Sequence, residues 1–321
     1  MTHEKNCHTA TMGKVIVTGA NGFVGNHLVT ELSEFGYIVI GVGGPKLPGM
    51  SDPEGLSEYV VADLSKPEEV ARLNFAGVTG IIHLAGLAAV GPSFDQPLQY
   101  VTINIGLQVN LLEEATKQGV KPKCIIVSSG TLYDPAAPMP LTETSTVLAN
   151  SPYAVSKFGQ EQMGHYYTTR GFEIIVARPF NHIGTDQNLG FVVPDLTKQV
   201  VDVERGVADR VLVGNLEARR DYTDVRDIVR AYRLLLEKGK SGETYNICSG
   251  TSRSGQEMLD MILAQADTQV RVEQDPARMR PSDTPDIYGS HQKLTTDTGW
   301  EPQIPLETTI ADVIADWRSR T

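Results

Sequence analysis

The residues best suited to do chemistry are Ser129, Tyr153 and Lys157, all within the stretch from Cys124 to Lys157. Cys124-Ile-Ile-Val-Ser-Ser129 reads as a buried parallel strand ending in hydroxyls, because a short apolar, β-branched run suits a strand covered on both faces. Ser151-Pro152-Tyr153-Ala-Val-Ser-Lys157 reads as the start of a helix, with Pro152 just inside its first turn. Helical residues four apart share a face, so Tyr153 and Lys157 stand one above the other. An ammonium beside a phenol favours the phenolate and lowers a pKa that is otherwise about 10. The pair is then a proton donor and acceptor usable near neutral pH. Ser129, at the strand end, can hydrogen-bond the same substrate oxygen as Tyr153. The chemistry specified is proton movement on a carbonyl or hydroxyl.

The elements that must hold these groups begin with Lys14-Val-Ile-Val-Thr18, a short buried strand. Gly19-Ala-Asn21-Gly22-Phe23-Val24-Gly25 follows at once, then an amphipathic helix to about Phe35. Strand, glycine turn and helix in this order, spaced GxxGxxG, form the pattern of a dinucleotide-binding unit. Gly19 and Gly22 let the backbone approach a pyrophosphate, and the helix N-terminus offers N–H groups and a positive dipole end. Gly25 allows the helix to pack close to the sheet. Asn21, Phe23 and Val24 belong to the same cofactor-binding turn.

The second strand, Tyr37–Val42, runs into Gly43-Gly-Pro-Lys46. An NAD-selective site usually carries Asp or Glu here for the ribose 2′-OH. Without that carboxylate nothing repels a 2′-phosphate, so NADPH is expected, with NADH possible; Lys46 either contacts the phosphate or is a solvated loop residue. Glu58–Ala62 is a third strand followed by Asp63 and Leu64, where Asp63 either holds the adenine amino group or caps the next helix. Thr79–Leu84 is the fourth strand, and Ala85-Gly86 after it leave room for the cofactor's backbone. Leu64, Leu84, Ala85 and Gly86 complete the expected cofactor set with Tyr153 and Lys157. His83, inside an apolar strand, reads as a packed histidine rather than a catalytic base.

Residues 94–118 form a long helix, and Phe172–Ala177 is a sixth strand. Beyond Arg178 the alternation loosens: a helix over 191–205, a strand at 210–213, then Arg219, Arg220 and Asp221 ahead of a helix over 224–237. Thr244–Cys248 is one more strand; helices over 256–266 and 306–319 and a strand near Val270 close the chain. This order predicts an α/β protein: a Rossmann-type, doubly wound parallel sheet with a smaller C-terminal substrate-binding lobe. The expected division is a dinucleotide-binding domain over 13–178 and about 218–248, and a lobe over about 179–217 and 249–321. Residues 1–12 read as a flexible extension rather than a signal peptide, having no apolar core.

Composition narrows the partners. A net charge of −11 without a local basic cluster argues against nucleic acid, so an anionic ligand needs a few placed arginines. No stretch approaches the roughly 18 apolar residues of a membrane span. Three scattered cysteines, Cys7, Cys124 and Cys248, suit neither a disulfide framework nor a metal site, which fits a reducing cytoplasm.

The motifs TGANGFVG, HLAG, SSGTLY, YAVSK, ARPFNHIG, RRDYTDVRDI, YNICSG and TGWEP, in this order from Lys14 onward, resemble the extended short-chain dehydrogenase/reductase family acting on nucleotide-diphosphate sugars. Within it, ARPFNHIG, FVVPDLTKQV, QDPARMRP and YGSHQKL look most like the reductases that convert GDP-4-dehydro-6-deoxy-D-mannose to GDP-D-rhamnose. The resemblance implies that Tyr153 protonates the sugar O4, that Lys157 tunes it and binds the nicotinamide ribose, and that Ser129 holds the carbonyl oxygen. It also implies Thr131, Asn181, Val193, Arg220 and Arg280 around the substrate, whose nucleotide diphosphate suits the planar fork of arginine. Arg219 reads rather as a surface ion pair. Family 4,6-dehydratases carry a glutamate in the SSGTLY segment; Gly130 and Thr131 stand there in this chain, which argues against dehydration. Asp134 stands where the family commonly has glycine. The alternatives are an NAD-recycling 4-epimerase and, more remotely, a non-catalytic cofactor sensor. The resemblance further implies a homodimer packed through residues 94–118 and the 151–170 helix.

Overall fold

The computed structural model describes residues 11–45, 53–278 and 286–320. Lys46 and Arg280, assigned above to cofactor and substrate, lie outside the described residues. The chain divides into two compact units. The first takes in the described residues of Met1–Ser128, Ser151–Ala177 and Tyr232–Glu243; the second takes in Ser129–Asn150, Arg178–Ala231 and the described residues of Thr244–Thr321.

The first unit alternates strands and helices: β1 (Gly13–Thr18), α1 (Phe23–Glu34), β2 (Tyr37–Gly43), β3 (Glu58–Val61), α2 (Pro67–Val70), β4 (Val78–His83), α3 (Val90–Ser93), α4 (Pro97–Lys117), β5 (Lys123–Val127), α5 (Pro152–Thr169) and β6 (Ile174–Pro179). These strands of the main sheet run in the order β6-β5-β4-β1-β2-β3, every printed pair parallel. Helical crossovers cover both faces of such a sheet, which is why its strands read as apolar runs. Ile16, Ile81, Cys124, Ile126 and Ile174 are fully buried and share one core with Leu111, Leu112 and Tyr167 from α4 and α5. The order reverses at β1, so the strand ends at Thr18, Val42 and His83 lie in register. Ligands of doubly wound sheets bind at this reversal, beyond the carboxyl ends of the strands. Small residues let α4 and α5 approach: a Cβ on Gly159 would fall 2.4 Å from the end of Ile105.

The second unit contains β7 (Asn181–Ile183), α6 (Val192–Glu204), β8 (Val211–Val213), β9 (Arg219–Asp224), α7 (Val225–Lys238), β10 (Thr244–Ile247), β11 (Ser252–Ser254), α8 (Gly255–Leu263), β12 (Val272–Gln274), β13 (Asp286–Ile287), α9 (Gln292–Thr298) and α10 (Leu306–Ser319). From Tyr232 onward α7 is counted with the first unit. Amphipathic α6, α8 and α10 bury Val193, Leu196, Leu259, Ile262, Ile310 and Ile314 in a separate core. The structure differs from expectation at Arg219–Asp224, which is strand rather than a lead into a helix. Its pattern is polar, so apolar alternation gave no sign of it; the segment is a strand because β11, β13 and β7 all pair with it. Among the described residues no helix is long and apolar enough to cross a membrane.

Candidate active site

The turn after β1 is shaped for close approach. Gly19 has φ of 71°, a left-handed conformation that glycine adopts without strain, and a Cβ there would lie 3.1 Å from the Ala85 backbone nitrogen. A Cβ on Gly25 would fall 2.2 Å from the Gly19 carbonyl oxygen, so α1 packs directly on the turn as well as beside the sheet. Gly22 is the N-cap of α1 and makes no side-chain capping bond. The first-turn N–H groups have no acceptor within their own helix, which gives an anion-binding end. At the end of β2 a Cβ on Gly43 would lie 2.8 Å from Asn21 Oδ1, whereas among the described residues nothing lies within 4 Å of one on Gly44. Among the described residues that follow β2, Gly44 and Pro45, there is no carboxylate.

Asp63 follows β3 and is exposed. Its Oδ1 accepts from the Ser65 backbone and hydroxyl at 3.0 and 2.6 Å, and these bonds hold its carboxyl below the usual range. These bonds close a local turn ahead of α2, whose N-cap is Lys66 without a side-chain capping bond, so the Asp63 carboxylate does not itself cap that helix. Leu64 is buried, and its carbonyl accepts from Asn110 on α4 at 2.9 Å. Beyond β4, the Ala85 N–H donates to Thr18 Oγ1 at 3.1 Å, and Thr18 Oγ1 lies 2.9 Å from His83 Nδ1. His83 is packed in the core. Burial, followed by the charge of Lys157, pushes its pKa down to about 3, so it is neutral at physiological pH.

The Tyr153–Lys157 pair lies one turn apart on α5, which starts with Pro152 and is capped by Ser151 Oγ accepting from the Ala154 N–H. Both side chains are buried. Lys157 Nζ donates to the Val127 carbonyl at the end of β5, 2.9 Å away. Burial lowers the Lys157 pKa to about 8, with Glu161 opposing, so the ammonium persists at neutral pH. The Tyr153 ring meets Tyr100 edge to face at 6.4 Å. Sequence reasoning missed Asn104, whose amide clamps the Leu87 backbone through N–H and C=O at 2.7 and 3.1 Å and donates to Ser156 Oγ at 2.9 Å. Ser156 in turn donates to the Tyr153 carbonyl at 2.7 Å. The segment after β4 and the tyrosine helix are therefore fastened to one another. A fully polar residue on the apolar face of α4 was the available signal.

In the second unit, Ser129 caps a short 3₁₀ turn, Gly130–Leu132. Its Oγ accepts from the Thr131 backbone and hydroxyl at 3.2 and 3.0 Å, which leaves its own O–H as a donor. Gly130, Thr131, Phe180, Asn181, Arg220, Asp221 and Ile287 line one small pocket. Thr131, Asn181 and Arg220, expected at the substrate, thus come together. Val193 does not join them; its side chain is in the apolar core. Arg219 pairs with Glu257 at 2.7 Å and also bonds Ser252. Behind the pocket Tyr133 donates to Asn246 Oδ1 at 2.6 Å beneath the Arg178 guanidinium, a link that joins two of the motifs. A Cβ on Gly130 would lie 2.9 Å from the Phe180 ring, so this wall is built around the missing side chain.

A family model described as GDP-mannose 4,6 dehydratase matches residues 16–313. GDP-6-deoxy-D-mannose reductase of Pseudomonas aeruginosa (strain PAO1) is 33% identical over 311 residues, covering 96% of this chain and 98% of that protein. UDP-glucose 4-epimerase of Caenorhabditis elegans is 28% identical over 352 residues, covering 95% and 97%. The solved structure of RMD from Pseudomonas aeruginosa, complexed with NADPH, superposes with a TM-score of 0.86 at 31% identity, over 96% of this chain and 100% of that one. The chain belongs to the GDP-mannose 4,6-dehydratase family of extended short-chain dehydrogenases/reductases, Rossmann-type oxidoreductases of nucleotide sugars.

Proposed function

We propose that this protein reduces the C4 keto group of GDP-4-dehydro-6-deoxy-D-mannose to GDP-D-rhamnose, with NADPH as the preferred cofactor and NADH possible. The observation that carries this reading is the buried Tyr153–Lys157 pair, one turn apart on α5, with Lys157 Nζ held on the Val127 carbonyl. The first unit would serve as the dinucleotide-binding domain and the second as the nucleotide-sugar lobe. The fit to a dinucleotide rests on the Gly19–Gly25 cradle, which side chains would fill, and on the capless start of α1. The carboxylate-free end of β2 supports a 2′-phosphate. When bound, the cofactor supplies the hydride.

The chain's own groups then do the rest. Tyr153 gives its proton to O4 as negative charge develops there, and the Lys157 ammonium eases the loss of that proton. Ser129, with its own O–H available to donate, steadies the same oxygen. Arg220 binds the diphosphate beside Asn181 and Thr131. Dehydration is disfavoured because Gly130 and Thr131 supply no carboxylate, and Gly130 has no room for a side chain against Phe180. We further propose a homodimer through α4 and α5, whose exposed faces carry Leu98, Val155, Phe158 and Tyr166.

The test is to incubate the protein with GDP-4-keto-6-deoxymannose and NADPH or NADH, follow oxidation of the nicotinamide by absorbance, and identify the product's C4 configuration by NMR. Stoichiometric oxidation yielding GDP-D-rhamnose is the expected outcome. A second reading, an NAD-recycling 4-epimerase, is favoured by the similarity to UDP-glucose 4-epimerase. Tightly bound NAD in the purified protein, with no net oxidation of added cofactor on GDP, UDP or dTDP keto-sugars, would replace the first reading with the second.

A further inference from the structure

A carboxylate in the wall of a pocket meant for a diphosphate needs an explanation. Asp221 is 1% exposed and lies next to Arg220 in that lining. Its charge is already committed. Oδ1 accepts from the Ser249 N–H at 2.8 Å and the Ser249 hydroxyl at 2.6 Å; Oδ2 accepts from the Gly250 N–H at 3.0 Å and the Gly289 N–H at 3.3 Å. Four donors fill the four lone-pair positions of a carboxylate. Asp221 therefore acts on chain segments rather than on a ligand.

Those segments are the pocket's walls. From β9, Asp221 fastens the 249–250 turn, which leads into β11, and Gly289, which follows β13. Ile287 of β13 stands in register with Arg220, and both line the pocket. Gly289 is also packed so tightly that a Cβ there would lie 2.6 Å from Cζ of the Phe180 ring, and a Cβ on Gly130 would meet the same ring edge, 2.9 Å from its Cδ2. A displacement of Gly289 is thus transmitted to Phe180 and to the Gly130–Thr131 wall, since close-packed groups have no slack.

We propose that Asp221 is a positioning residue for nucleoside-diphosphate binding: its carboxylate sets the spacing between Arg220, Ile287 and Phe180 without touching the ligand. This rests on the reading of the pocket as the nucleotide-sugar site. Asp221→Asn keeps the shape but turns one acceptor into a donor facing N–H groups, at a cost typical of a broken buried hydrogen bond.

The experiment titrates the full-length protein, wild type and variants, with GDP, UDP and NADPH by calorimetry, alongside kcat and KM on the keto-sugar. For Asp221→Asn the expected result is GDP affinity weakened by about tenfold, a matching rise in KM, a smaller change in kcat, and NADPH affinity unchanged. A merely structural role would move NADPH binding as well. Should Asp221→Asn fail to fold, Ser249→Ala removes the hydroxyl that donates to Asp221 and accepts from the Thr251 N–H while leaving the carboxylate in place, and is expected to weaken GDP by about threefold with NADPH intact. A folded Asp221→Asn that binds GDP like wild type overturns the inference alone, as does an unchanged Ser249→Ala where that variant must decide. A wild type that binds neither GDP nor UDP overturns the inference together with the functional reading beneath it.

Discussion

The glycine cradle proposed for the cofactor and the second unit's pocket are built on opposite plans. The cradle is made of backbone: glycines at 19, 22, 25 and 43 omit side chains so that main-chain groups can come close, within one short stretch and its flanking strand ends. The pocket is made of side chains from four separate stretches, around 130, 180, 220 and 287, held by buried polar bonds. Backbone sites are fixed by what is absent, and each glycine is locally decisive. Side-chain sites are fixed by remote partners, so their failure points include bonds that reach beyond the lining. The Tyr153–Lys157 pair follows the first plan in its locality and the second in its burial.

The sharpest break is expected at that pair. Tyr153→Phe removes the proton donor while leaving the ring's contact with Tyr100, so kcat should fall by about 10²- to 10⁴-fold. NADPH and GDP affinities, measured separately, should stay near wild type. Turnover within a few fold of wild type would refute Tyr153 as the acid and leave both regions as binding sites only.

The two plans also explain what was legible. The first unit's strands, the glycine turn and the tyrosine–lysine helix show in local periodicity and spacing, and the structure has them within a few residues of expectation. Arg219–Asp224 was not legible as a strand because its signal lies in its partners, β11, β13 and β7, far away in sequence. Asn104 and Asp221 escaped for the same reason: what they bond to is set by tertiary contact. Thr131, Asn181 and Arg220 were named from family motifs, not from periodicity, and line one pocket, whereas Val193 from the same source has its side chain in the core.

A smaller effect tests the cradle's omission of side chains. Gly44→Asp places a carboxylate just beyond β2, where among the described residues nothing lies within 4 Å of a Cβ, so the backbone should accept it without strain. The ratio of kcat/KM for NADPH over NADH should drop by about tenfold, from repulsion of the 2′-phosphate. Gly43→Asp is the contrasting variant, because its Cβ would lie 2.6 Å from the Tyr59 hydroxyl and should reduce binding of both cofactors. An unchanged ratio in a folded Gly44→Asp would detach this strand end from cofactor choice.

Burial in the first unit also predicts an acid response. His83 has a folded pKa of about 3 against 6.5 in the unfolded chain. Between those values the unfolded state binds a proton that the folded state does not, so stability is fully present above 6.5 and is lost as pH falls towards 3. His83→Gln retains a polar partner for Thr18 but cannot titrate. Its melting temperature should fall less steeply than wild type over this window, and an identical slope would assign the acid response to other groups.

The smallest expected effect concerns Asp134, the position where the family commonly has glycine. The carboxylate accepts from the Ala136 N–H at 2.9 Å, a local turn that shapes the chain after Tyr133. It is not part of the pocket lining. Asp134→Ala should therefore lower stability by about 1 kcal/mol in denaturant unfolding, the usual worth of one hydrogen bond, while KM for the keto-sugar stays within about twofold. The two readouts separate the pocket from its supports. A loss of stability with intact KM makes the turn a support whose geometry other contacts can maintain, as a glycine would. A raised KM with intact stability would extend the side-chain site beyond its lining to the turn itself.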